Sequence, residues 1–155
     1  MTTTSTFEKN ITEKTTVAPK PPGQPYAWHD AYITGFKIEK DDLYLLFDQG
    51  FYSLPDADGN DHLIKGQVVI KGVDWDFAVF NIVKFQGDTN RGKYKGKRYP
   101  LKKFCRKHPH VELEIVDSYF GGYTLYLSGF LHGEKKITEW ALEVYHTGDV
   151  EYKEV

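Results

Sequence analysis

Residues 31–47 read AYITGFKIEKDDLYLLF, and this pattern is typical of a β-hairpin. Apolar and polar residues alternate over 31–38 and again over 43–47, as they do on strands that bury one face. The four polar residues at 39–42 are suited to the turn between the two strands. A bulge at Gly50 would let the second strand continue for a few more residues. The chain is therefore predicted to begin its folded part with two antiparallel strands.

The rest of the chain also has sequence patterns typical of strands. Aromatic residues make up 15% of the sequence, and their flat side chains favour strands over helices. We predict further strands over residues 67–70, 75–85, 111–115, 123–130, 137–145 and 150–155. Because segment 75–85 is apolar on both faces, we expect a central strand with Trp75 and Phe77 in the core. One short helix is predicted to start at Pro100 and to stop before Pro109. The predicted fold class is mainly β, an antiparallel sandwich or partly closed barrel with one short helix.

The sequence divides into two regions of different composition. Residues 1–25 are mostly Thr, Lys, Glu, Pro and Gly, too polar to offset the entropy of ordering, and we expect a flexible leader. Residues 26–155 are predicted to form a single β-rich domain. The single cysteine, Cys105, excludes an internal disulfide. With no secretory signal and no apolar run of bilayer-spanning length, we expect a cytoplasmic protein that does not associate with membranes.

Catalytic and metal-binding motifs are weak in this sequence. Asp74 and Asp76, and likewise Glu112 and Glu114, are spaced to share one side of a strand, and paired carboxylates can hydrolyse glycosidic or phosphate bonds. The same alternation is ordinary on any solvent-facing strand. The acidic loop at 56–61 lacks the glycine and glutamate positions of a calcium loop. We therefore expect no enzymatic activity, no cofactor and no metal ion.

Charge is distributed unevenly along the chain. Residues 91–107 hold nine of the 20 basic residues and no acidic one, leaving 11 basic against 22 acidic residues elsewhere. The first five basic residues of this segment are candidates for binding an anion, namely Arg91, Lys93, Lys95, Lys97 and Arg98. We do not expect nucleic acid as a partner, because the rest of the molecule would repel a polyanion.

The acidic remainder of the chain suggests a different partner. Carboxylates and tyrosines on a rigid sheet can capture a basic protein, because opposite potentials speed encounter and tyrosines provide contact area. The candidate partner-binding residues are Trp28, His29, Asp30, Glu112, Glu114, Tyr119, Tyr126 and Glu143.

Most of the β-rich region resembles one group of proteins. The resemblance rests on WHDAYI (residues 28–33), LYLLFDQGF (43–51), LEIVDSYFGGYTLYLSG (113–129) and LEVYHTGDVEY (142–152). These segments resemble small, mostly uncharacterised bacterial proteins that begin with a Trp-His-Asp-like strand. Some of those proteins look like immunity proteins of toxin systems, which bind and block a cognate toxin. The resemblance implies a non-catalytic intracellular binding protein whose partner is a basic toxin or a similar protein.

Two other functions fit the same residues. A small-molecule or carbohydrate binder would use a barrel mouth or sheet groove lined by Tyr and Trp. A hydrolase would need one of the carboxylate pairs buried in a cleft.

Overall fold

The structure is a computed structural model that describes residues 14–17, 26–53, 59, 62–88, 91–131 and 138–154. For residues 53, 85–88, 91, 93 and 94 it describes the backbone alone. The strands are β1 (Lys14–Val17), β2 (Tyr26–Ala27), β3 (Tyr32–Glu39), β4 (Asp42–Ser53), β5 (Leu63–Ile70), β6 (Val79–Asp88), β7 (Arg91–Pro100), β8 (His110–Phe120), β9 (Thr124–Leu131), β10 (Thr138–Tyr145) and β11 (Val150–Glu154). One helix, α1 (Leu101–Lys107), lies between β7 and β8.

The described strands form one antiparallel sheet. Its order is β1-β11-β5-β4-β3-β8-β9-β10-β6-β7, and β2 pairs with β4 beside this path. Within the described part of the chain the two outer strands, β1 and β7, do not pair with each other, so the sheet is not closed. The predicted fold class, mainly β and antiparallel with one short helix, is confirmed.

The predicted hairpin is present as β3 and β4. Glu39 pairs with Asp42, which leaves a two-residue turn in which Lys40 has a φ of 54°. Gly50 has a φ of 87°, and the register of β4 against β5 shifts between Phe47 and Phe51. Such a positive φ suits glycine, and the expected bulge in the second strand is confirmed.

Two groups of aromatic rings fill the core. Tyr26, Trp28, Phe47, Phe51 and Tyr152 pack together in the first group. The second group contains Phe36, Phe80, Phe104 and Trp140. Helix α1 contributes Phe104 to this second group and also buries Leu101 and Cys105. The helix therefore holds one side of the core together, as the spacing of its apolar residues predicts.

The prediction of a strand over 75–85 with Phe77 in the core is wrong. Strand β6 starts only at Val79, and the Phe77 side chain is 62% exposed. A carboxylate oxygen of Asp74 accepts a hydrogen bond from the N–H of Asp76 at 3.2 Å, and the carbonyl of Asp74 accepts one from the N–H of Phe77 at 3.1 Å. This turn ends before β6 begins, so the alternation of residues 75–78 does not correspond to a strand. Trp75 is partly buried against the core rather than within it.

The expectation of a flexible leader is wrong for four of its residues. Lys14–Val17 form β1, which pairs with β11 from Lys14 opposite Glu154 to Val17 opposite Glu151. The other residues of segment 1–25 lie outside the described part of the chain. No strand is predicted from the sequence over 91–100, where the structure has the edge strand β7.

Candidate protein-binding face

The solvent-facing side of β8, β9 and β10 carries most of the predicted partner-binding residues. Along β9 and β10 every second side chain points inward, and Leu125, Leu127 and Leu142 are fully buried. The residues between them face solvent. We call this side the acidic–aromatic face, and it is formed by Glu112, Glu114, Asp117, Tyr119, Tyr126, Phe130, Glu139, Glu143 and Tyr145.

Cross-strand pairing brings these residues into rows. Tyr119 lies opposite Tyr126, which lies opposite Glu143. The rings of Tyr119 and Tyr126 have centroids 5.9 Å apart. Such neighbouring aromatic and charged side chains form a continuous surface, because directly opposite residues of an antiparallel pair have Cβ atoms about 5 Å apart.

A bulge in β8 is the reason that its acids and its tyrosine share this face. The register against β9 shifts between Ile115 and Asp117. Without the bulge, strict alternation of the same residues from Glu112 and Glu114 would turn Tyr119 into the core. With it, Tyr119 faces solvent while Phe120 packs inward against Trp28, its ring centroid 5.1 Å away.

A hydrogen bond through the sheet ties the three strands of the face together. The indole N–H of Trp140 on β10 donates to the carbonyl of Glu114 on β8 at 3.1 Å. Gly129 on the intervening strand β9 makes room for this contact, because a Cβ there would lie 1.7 Å from the same carbonyl oxygen. This close contact restrains β8, β9 and β10 from sliding past one another.

Negative charge collects at one end of the face. The N–H of Asp30 donates to the carbonyl of Ile115 at 2.9 Å, which holds the turn before β3 against β8. Tyr32 pairs with Glu114 in the sheet. Partial desolvation raises the pKa of the Tyr32 phenol, and the nearby charges of Glu114, Asp30 and Glu112 raise it further. Three carboxylates thus act on one phenol at this end of the face.

Exposed aromatic rings collect at the other end. The N–H of Asp74 donates to the carbonyl of Tyr145 at 2.7 Å, so the turn before β6 lies beside the end of β10. This contact places the ring of Phe77 6.2 Å from the ring of Tyr145. Tyr123, in the turn between β8 and β9, is also exposed. Exposed apolar groups that cluster in this way are typical of interaction sites.

Of the candidate partner-binding residues, one is misplaced. Trp28 is 2% exposed and packs in the core, so it cannot contact a partner. His29 and Asp30 are exposed in the adjoining turn, with His29 Nδ1 3.0 Å from a carboxylate oxygen of Asp30. The face unites five of the candidates: Glu112, Glu114, Tyr119, Tyr126 and Glu143.

Several residues of the acidic–aromatic face were not predicted as candidates from the sequence. Tyr145, Phe130 and Glu139 follow the same alternation as Glu143 and Tyr126, and that signal could have identified them. Phe77 carried no such signal, because its position depends on the turn at Asp74.

The candidate anion-binding residues are divided between two sides of β7. Arg98 pairs with Asn81, on the same side of the sheet as the acidic–aromatic face. Lys95 and Lys97 lie on the other side of the sheet. Lys97 pairs with Ile82, which in turn pairs with the buried Trp140. The side chains of Arg91 and Lys93 are not among those that the structure describes.

The side chains that could serve in catalysis lie in different parts of the fold. Asp74 is engaged with the N–H of Asp76, and Glu112 lies on the open sheet face. Burial raises the pKa of the Cys105 thiol to about 12, which disfavours the nucleophilic thiolate. Among the described residues no group of three or more His, Cys, Asp or Glu is placed to hold a metal ion.

Neither a membrane-spanning helix among the described residues nor a known relative was found for this chain. In the part of the chain that the structure describes, no helix has the length and apolarity needed to cross a bilayer. Comparison with protein-family models, with curated proteins and with solved structures found no match to this chain. The resemblance to toxin-immunity proteins therefore stays a prediction.

Proposed function

We propose that this protein is a non-catalytic binding protein whose acidic–aromatic face binds a basic region of another protein. The observation that carries the proposal is the composition of β8, β9 and β10. These strands contain five carboxylates and no Lys or Arg, and their three tyrosines and Phe130 face solvent between the carboxylates.

The two kinds of side chain have different tasks in such an interface. Tyr119, Tyr126 and Tyr145 supply apolar contact area at the cost of few rotatable bonds, and interface energy concentrates in such anchors. Carboxylates at the rim attract Lys and Arg of the partner and repel acidic competitors. The rings also accept cations over their faces. A basic surface with exposed arginines is the partner that this combination fits best.

Neutralisation of a toxin in the cytoplasm is the specific form of this proposal. Its support is the resemblance of the strands to immunity proteins, together with the rigid sheet that mounts the face. A rigid face can block a basic toxin by covering it, without any chemical step. The alternatives have less support, since Trp28, Trp140 and Tyr152 pack within the core and the carboxylates of the face are not enclosed in a cleft.

The test uses selection from a phage-displayed peptide library on the immobilised protein. Enriched peptides are expected to carry net positive charge. Their affinity should fall about tenfold or more, about 1.4 kcal/mol, for Tyr126→Ala and for Glu143→Gln. The matched control is Tyr52→Ala, which removes another exposed tyrosine on β4, outside the face. Unchanged melting temperatures would show that the variants are folded.

Two results would contradict the proposal. One is enrichment of peptides without excess positive charge. The other is equal loss of affinity for Tyr52→Ala and Tyr126→Ala. Toxin neutralisation has its own test, which is co-expression of this protein with a candidate toxin that arrests growth. The protein should relieve the growth arrest, and the Tyr126→Ala variant should relieve it less.

A further inference from the structure

A groove lies beside the edge of the sheet, on the side of β6 and β7 away from the acidic–aromatic face. Its volume is about 370 Å³, within the range of small-molecule sites. The groove is lined by Ile82, Lys84, Lys95, Gly96, Lys97 and Tyr99. We call it the lysine groove.

Three ammonium groups line this groove, and no carboxylate among the described residues forms an ion pair with them. Lys84 lies directly opposite Lys95 in the β6–β7 pair, and Lys97 is the next residue of β7 on the same side. Like charges directly opposite each other destabilise a strand pair. Of the carboxylates that the structure describes, none lies within 4.0 Å of these three amines. A bound anion would remove the repulsion.

Protection of a sheet edge does not explain this arrangement. Lysines on an edge strand commonly prevent pairing with other chains, and that role would account for Lys95 and Lys97 on β7. Lys84 is on β6, which is paired on both sides, with β10 and with β7. Its charge therefore has no edge to protect, and yet it faces Lys95.

The groove also offers an apolar surface of fixed geometry. The ring of Tyr99 packs on Phe104, with centroids 5.8 Å apart, and Phe104 in turn stacks on Phe80 at 3.8 Å. Tyr99 is thus held by the core while part of it remains accessible. Together with Ile82 it forms a surface on which a flat ring can pack.

We propose that the lysine groove binds a small organic anion that combines two or more negative charges with a planar apolar body. Nucleoside diphosphates and triphosphates belong to this class. The ammonium groups of Lys84, Lys95 and Lys97 contact the charged groups, and Tyr99 packs against the planar body. The site is separate from the acidic–aromatic face and does not depend on the proposed function.

Calorimetry with three probes tests the proposal on the full chain at two salt concentrations. ATP without divalent metal is expected to bind most tightly, inorganic pyrophosphate more weakly, and adenosine not measurably. Lys84→Gln and Lys97→Gln should each weaken ATP by about three- to fivefold. Tyr99→Leu should weaken ATP by about threefold or more and leave pyrophosphate unchanged. The matched control, Arg98→Gln, removes a charge from the opposite side of β7 and should change ATP affinity by less than about twofold.

Three outcomes would overturn the proposal. Absence of ATP and pyrophosphate binding at millimolar concentration would show that the groove holds no anion. Equal losses for Arg98→Gln and Lys97→Gln would mean that diffuse charge alone attracts the ligand. Tighter binding of a single-stranded oligonucleotide than of ATP, lost in the same lysine variants, would assign the groove to nucleic acid instead.

Discussion

Replacement of Phe104 by alanine tests whether helix α1 is an integral part of the core. Phe104 is 7% exposed and stacks on Phe80, with ring planes 11° apart. It also contacts Phe36 edge-on, with centroids 6.2 Å apart. Loss of the ring removes its burial and leaves a cavity between three strands and the helix, so we expect a loss of about 3 to 5 kcal/mol in the free energy of unfolding.

The matched control is the same substitution at Phe77. That side chain is 62% exposed, and its described ring contact is with Tyr145. We expect Phe77→Ala to cost less than about 1 kcal/mol. Urea unfolding followed by tryptophan fluorescence gives both values from the midpoint and slope of the transition.

The sequence alone ranks the two phenylalanines differently, since its alternation places Phe77 in the core. A loss below about 1 kcal/mol for Phe104→Ala would refute the described packing of the helix. A loss above about 2 kcal/mol for Phe77→Ala would restore the central strand that the sequence predicts.

The remaining predictions concern the backbone of the face and the buried thiol. Gly129→Ala should cost about 3 kcal/mol, because its Cβ would meet the carbonyl of Glu114 and push β8 from β9. Gly122→Ala, where no heavy atom outside the adjoining residues lies within 4 Å of the added Cβ, should change stability by less than about 0.5 kcal/mol in the same urea unfolding measurement. Cys105 should not react with a thiol reagent at pH 8 until the protein is unfolded. Because burial raises its pKa to about 12 from an ordinary 9.0, its contribution to stability is complete below pH 9 and falls as the pH rises toward 12. The parent should therefore lose more stability between pH 8 and pH 11 than the Cys105→Ala variant does. An equal loss in the two proteins would contradict the burial of this thiol.

Local signals in the sequence were sufficient for part of the fold. The β3–β4 hairpin was predictable because its alternation, its polar turn and the bulge at Gly50 all depend on neighbouring residues. The helix was predictable because Pro100 marks its start and its apolar residues share one side. Glu112, Glu114 and Tyr126 were predictable as surface residues for the same reason.

Other features depend on contacts between distant segments. Strand β7 has few apolar residues because it lies at the edge, so it lacks the alternation by which strands are detected. The burial of Trp28 follows from its packing on Phe47 and Tyr152, which are far away in the chain. The groove at Lys84 arises from the register of the β6–β7 hairpin, and it was not predicted because β7 was not recognised as a strand.

The bulge in β8 decides which side of the strand its later residues face. Removal of Val116, the extra residue between Ile115 and Asp117, would restore strict alternation and leave Glu114 and Tyr119 on the same side of the strand. Removal of a residue from β9, which pairs with β10 without a shift in register, would instead turn every side chain beyond that point to the other surface. During evolution, β8 can therefore lose one residue at the bulge and keep its outer surface, whereas the regular strands of the face can change that surface only by exchanging side chains one at a time.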